Sequence, residues 1–162
     1  MNNQPASIKT TYTPRIATLE QIQLQGKAIE IAKLCARMLE REFEVEKVVL
    51  FGSMLYPEDI KYGDDLPEEL ISDIDLAIFG GKPDRDFWNG YIVARTACND
   101  VARYANKFLK LPYFEIDLVL ANTMDDDMLS QINDGIKIFY ENNEPYTTLA
   151  DITEQMYGYR PK

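Results

Sequence analysis

The sequence predicts an α+β domain in which a small mixed β-sheet is backed by helices. Three observations carry this expectation. One is a long stretch of apolar residues at helical spacing near the N-terminus. Another is a set of short apolar runs bounded by Gly and Pro. The third is a second helical stretch lying between two of those runs. With 162 residues and an apolar fraction of 46%, one hydrophobic core is expected rather than two full domains.

Residues 1–15 are polar, contain two prolines and show no periodicity, so they read as a flexible arm preceding a domain at 16–145. From Leu19 to Phe43 the residues Ile22, Ala28, Ile29, Ala32, Leu34, Cys35, Met38, Leu39 and Phe43 recur at three- and four-residue steps, as on one face of a helix. Val48 to Phe51 form an unbroken apolar run ending on Gly52, which reads as a buried strand. The stretch from Met54 to Ser72, rich in acidic residues and carrying two prolines, reads as a surface loop with at most a turn of helix. Its acidic side chains fit a solvated surface better than a docking loop.

ISDIDLAIFGG restores the strand pattern, and Gly80-Gly81 followed by Pro83 closes it as a simple turn. Asp84 or Asp86 is placed to cap a helix running to about Lys110, with Phe87, Tyr91, Ile92, Val101, Tyr104, Ala105 and Phe108 on its apolar face. Arg95, Arg103 and Lys107 then fall on its solvent side. YFEIDLVLA is a third strand. Asp125 to Asp127 open a short helix that Gly135 can cap, and Ile136 to Tyr140 form a last short strand. Residues 146–162 read as a tail.

Composition removes several classes of function. The absence of histidine excludes Ser-His-Asp and Cys-His catalysis and His-ligated zinc, so any chemistry must run on carboxylates. A net charge of -10 argues against an extended nucleic-acid groove, since duplex binding needs many Lys and Arg. No apolar run is long enough for a membrane span and no secretory signal precedes the domain, so a cytoplasmic location is expected. Cys35 and Cys98 are isolated and read as reduced core residues.

Against that background, carboxylates embedded in strands demand a reason. Asp73 and Asp75, two apart on a strand, project from one face about 6.5–7 Å apart. Unpaired, they repel and lose hydration; a divalent cation with oxygen ligands, magnesium above all, compensates both costs. Asp117 supplies a third carboxylate from its own strand, able to ligate a cation and to accept a hydroxyl proton. Gly52 allows close backbone approach to a phosphate and Ser53 adds a hydroxyl donor.

FGS, then SDIDLAIFG, then EIDLVLA together resemble the DNA-polymerase-β-type nucleotidyltransferase superfamily, and more narrowly the minimal nucleotidyltransferases encoded beside HEPN-domain toxins. The likeness runs from about Val48 to Tyr140, over half of the chain. It implies a polymerase-β-like fold and a catalytic, metal-binding set of Asp73, Asp75 and Asp117 holding Mg2+, as two ions. It also implies nucleotide contacts at Gly52, Ser53 and Ser72, with ATP as substrate. The function that follows is transfer of AMP to a hydroxyl of a HEPN-type ribonuclease toxin, the chain acting as its antitoxin. Met54-Leu55-Tyr56 stand where an arginine-bearing turn is frequent in the family, and nineteen residues (positions 54–72) separate Ser53 from Asp73. Two alternatives therefore stay open: a catalytically inactive binding module of the same fold, and a small-molecule transferase of the aminoglycoside type.

Overall fold

The structure is a computed structural model, and it describes residues 16–62 and 71–139. The expected arm at 1–15, the tail at 146–162 and the centre of the acidic loop lie outside the described residues. The observed architecture is α+β: a four-stranded mixed sheet with helices on both faces, in the order β3-β2-β1-β4. Helix α1 (Leu19–Phe43) and strand β1 (Lys47–Phe51) come first. Strand β2 (Ile74–Phe79), the short helix α2 (Lys82–Arg85) and helix α3 (Ile92–Phe108) follow, and then β3 (Ile116–Leu120), α4 (Asp126–Asn133) and β4 (Ile136–Phe139). β1 runs antiparallel to both β2 and β4, whereas β2 and β3 are parallel, as a helical crossover between consecutive strands requires.

α1 starts where a capping box sets it: the Thr18 hydroxyl accepts from the Gln21 N–H, and the Gln21 side chain accepts from the Thr18 N–H. It ends at Glu44, held in the left-handed region at φ 58. Its inner face buries Ala28, Ile29, Ala32, Cys35, Leu39 and Phe43 as expected, but also Ile31 and the polar Gln25, while Ile22 stays half exposed.

The expected single helix from Asp84 to Lys110 is interrupted. Pro83 fits the first turn of α2; Asp86 then turns extended, and its carboxylate accepts from the Asn89 N–H to cap one π-helical turn, Phe87–Tyr91, before α3 begins. α3 buries Ala94, Cys98, Ala102 and Ala105, not the large residues: Phe87, Tyr104 and Phe108 are half exposed or more. Small side chains let α3 lie close against the sheet and α1, a solution that counting large apolar residues does not reveal. Cys35 and Cys98 meet there, both buried and free, the Cys35 thiol donating to the Cys98 carbonyl.

The loop after β1 is also corrected. Far from being surface throughout, it buries Met54, Leu55, Pro57 and Ile60 in two 3-10 turns, Gly52–Leu55 and Pro57–Asp59. Burying these apolar groups outweighs the exposure that the neighbouring acidic residues favour.

Alternation along the strands sorts two cores. Val48, Leu50, Ile74, Leu76, Ile78, Ile116, Leu118 and Leu120 face α1 and α3, while Val49, Phe51 and Ala77 face the other way, with Ile132 of α4. Asp125 caps α4 by accepting from the Met128 N–H. At the far end of α4 Gly135 acts by its size rather than as the expected left-handed cap: a Cβ there would overlap the Leu50 carbonyl and come within 2.6 Å of Val49 Cγ1. Gly135→Ala is therefore expected to destabilise the fold by roughly 1–3 kcal/mol, read as a lower urea midpoint with an unchanged slope. An unchanged midpoint would mean that α4 does not press on β1.

Candidate active site

On the second face of the sheet Ile132 of α4 packs with Val49, Phe51 and Ala77. Beside this cluster, where β2 and β3 begin, the side chains on that face are carboxylates. Register places Asp75 directly beside Asp117 on the parallel neighbours β2 and β3, and Ile74 beside Ile116. One step outward the same register sets Asp73 beside Glu115, and the Ile74 N–H donating to the Glu115 carbonyl at 2.9 Å carries the pairing to that edge. The result is a two-by-two square of carboxylates. Asp73 and Asp117 are exposed and Asp75 is half-buried.

Glu115 is the member that sequence reasoning passed over. Its signal was present: Glu115-Ile116-Asp117 repeats the same-face spacing of Asp73-Ile74-Asp75.

β1 closes the square from the other side. Phe51 pairs with Asp75 across the antiparallel ladder, so the chain leaves β1 directly under the Asp75 carboxylate. Only glycine fits at the next position. Gly52 sits at φ +80, and a Cβ there would overlap Asp75 Oδ2. Ser53 follows in the 3-10 turn and, with Gly52, Tyr56, Asp59, Gln131 and Asp134, lines a cleft of about 330 Å3 between that turn and the end of α4. Among the described residues, no lining residue of this cleft is Lys or Arg.

Ser72 occupies a different place from Ser53. Its hydroxyl accepts from the Lys61 N–H at 2.8 Å and its own N–H donates to the Lys61 carbonyl at 3.2 Å, closing the base of the acidic loop. Arg95, Arg103 and Lys107 lie on α3, whose buried face packs against the opposite side of the sheet. Arg103 pairs with Asp100, and Arg95 lies over the Tyr91 ring.

The crowding of negative charge shows in the acidities. Burial first, then the charge and hydrogen-bonding contact of Asp117 and the charge of Asp73, push the Asp75 carboxyl up to about 7. Asp73 is raised as well, by burial first and then by the charges of Glu115 and Asp117. Folded Asp75 thus keeps a proton that the unfolded chain releases near pH 4. Stability from this group is present at low pH, falls as pH rises from about 4 to about 7, and stays at the lower level above. With its partial exposure allowed for, the loss is on the order of 1–2 kcal/mol. Asp75→Asn is expected to flatten that part of the profile and to melt higher than the unaltered chain at pH 8 without divalent ions. Calorimetry at pH 5 and pH 8 checks this, and equal pH dependence in both proteins would contradict it.

By its chemistry the donor set would suit a hard divalent cation: four carboxylates, two of them in contact. Among the described residues no group of three or more His, Cys, Asp or Glu side chains is arranged so that it could by itself hold a metal ion.

No protein-family model and no curated protein matches the chain. A solved structure that does match is the 1.40 Å crystal structure of a protein from Sulfolobus solfataricus described as a "putative nucleotidyltransferase"; it is 18% identical, with 82% of this chain and 96% of that one covered and a TM-score of 0.46. Among the described residues, no helix is long and apolar enough to cross a membrane.

Proposed function

We infer that the chain is a nucleotidyltransferase of the polymerase-β type that transfers AMP from ATP to a hydroxyl of a partner protein. The observation that carries this reading is the alignment of Asp75 beside Asp117 on adjacent parallel strands, with the Gly52-Ser53 turn held against Asp75. The order Gly-Ser, Asp-x-Asp, Asp along three strands at one sheet edge is the pattern that the sequence resemblance predicts. The narrower proposal follows the same resemblance: the partner is a HEPN-type ribonuclease toxin, silenced by the modification, and the chain is its antitoxin.

Asp73, Asp75 and Asp117 would hold Mg2+, with Glu115 beside them. When bound, magnesium neutralises the triphosphate and the charge that develops on the leaving pyrophosphate. The chain's own residues supply the rest. The Gly52 backbone and the Ser53 hydroxyl orient the phosphates next to the carboxylates. Asp117, exposed at the outer edge, takes the proton of the acceptor hydroxyl as its oxygen bonds to the α-phosphorus and the bond to the pyrophosphate oxygen breaks.

A second reading, a binding module that neutralises its partner by contact, is favoured by one observation: among the described residues, the cleft beside Ser53 is lined by Asp59 and Asp134 and by no cation. Mass spectrometry of the partner encoded by the adjacent gene, after incubation with the chain, ATP and Mg2+, separates the two. Gain of one adenylyl group, lost with Asp117→Asn while the complex still forms, is the expected result. An unmodified partner that is nonetheless neutralised would establish the binding module.

A further inference from the structure

The turn that carries Ser53, closed by the Tyr56 N–H donating to the Ser53 carbonyl at 3.1 Å, is also held from outside by α1. Gln25, in the middle of α1 and 7% exposed, donates from Nε2 to the Met54 carbonyl at 2.8 Å. One helical turn earlier on the same face, Gln21 donates from Nε2 to the Ile60 carbonyl at 3.1 Å and to the Glu58 carbonyl at 3.3 Å. A buried amide is costly unless bonded, and the Nε2 donors of Gln25 and Gln21 serve no backbone group of α1. Both amides reach outward to one segment, residues 54–60, which continues directly from Gly52-Ser53. That segment forms one wall of the cleft through Leu55, Tyr56 and Asp59.

We propose that Gln25 and Gln21 are positioning residues for nucleotide binding: they fix the Gly52–Asp59 segment from behind, so that the Ser53 hydroxyl and the Gly52 backbone are aimed at the phosphates. The segment has Met54-Leu55-Tyr56 where an arginine side chain would strengthen phosphate binding by charge, and so it depends on rigidity instead. Met54, buried at 0% exposure, and Ile60, at 2%, anchor the segment's apolar side, and the two glutamines anchor its carbonyls. The glutamines hold the Gly52–Asp59 segment, so the clamp acts on nucleotide affinity.

This inference rests on the nucleotidyltransferase reading, and the test keeps the two apart. Gln25→Leu keeps the shape and removes the donor. Gln21→Glu, which keeps the oxygen that accepts from the Thr18 N–H and removes the donor, serves if the first variant folds poorly. Two measurements on the full chain are needed. One is hydrogen exchange at the amides of residues 52–60; the other is calorimetric binding of the α,β-methylene analogue of ATP in Mg2+. Faster exchange confined to that segment, with analogue affinity about tenfold weaker, is expected. In the transfer assay KM for ATP should rise by about the same factor while kcat changes less than twofold. Unchanged affinity despite faster exchange, or a fall in kcat at constant KM, would overturn the positioning role. Failure of the unaltered chain to bind the analogue would overturn the site reading itself and the inference with it.

Discussion

Asp75→Asn is expected to lower magnesium-dependent transfer by about a thousandfold, close to 4 kcal/mol of transition-state stabilisation, while leaving a folded and more stable protein. Asp75 meets Asp117 on one side, and on the other its Oδ2 occupies the space that a Gly52 side chain would take. The amide keeps nearly the same shape, so the turn and the sheet remain. On the proposed function, what disappears is the negative charge that would balance a cation between two strands, an interaction that would be needed most when pyrophosphate departs. Initial rates at saturating ATP, with melting curves on the same samples, check both halves. A variant that retains a tenth of the activity or more would place the metal elsewhere.

The second large effect belongs to Gly52→Ala. The residue is held at φ +80, where a side chain costs roughly 1–2 kcal/mol, and the new methyl would overlap the Asp75 carboxylate. Together these predict a destabilisation of roughly 2–4 kcal/mol and loss of transfer. The two costs are separable. In Gly52→Ala combined with Asp75→Ala the overlap is gone and the backbone strain remains, so the pair should couple by roughly 1–2 kcal/mol in a double-mutant cycle. Additive destabilisation would show that the methyl does not meet the carboxylate.

Much of this site is legible in the amino-acid sequence because its signals are local. Period-two alternation assigns Asp73, Asp75 and Asp117 to strand faces, and a glycine ending an apolar run marks where the backbone must bend. The three boundaries that matter, at Leu19, Phe51 and Ile136, fall where capping and apolar runs put them. The strand order is not legible, because pairing between β1 and β4 joins residues distant in sequence and nothing local records it. Glu115 is legible and easily overlooked: its partner Asp73 becomes apparent only when the parallel register of β2 and β3 is known.

Other differences have a common physical origin. α3 buries a stripe of small residues, and small residues carry little weight in a hydrophobicity pattern although they decide how closely two elements approach. Gln25 is invisible for the opposite reason: a polar residue on a helix reads as solvent-facing until its hydrogen-bond partner, the Met54 carbonyl 29 residues away, is seen. The loop after Ser53 reads as surface because its composition is acidic, yet the apolar minority, Met54, Leu55 and Ile60, determines its path.

The central claim is that Asp73, Asp75, Glu115 and Asp117 act as one cation-holding centre for a nucleotide. It is met most directly by titrating Mg2+ into the full chain at pH 8, with the α,β-methylene analogue of ATP present, and following heat. The account predicts saturable uptake that disappears in the Asp75→Asn, Asp117→Asn double variant and weakens several-fold in Glu115→Gln. Uptake by the double variant equal to that of the unaltered chain would contradict it.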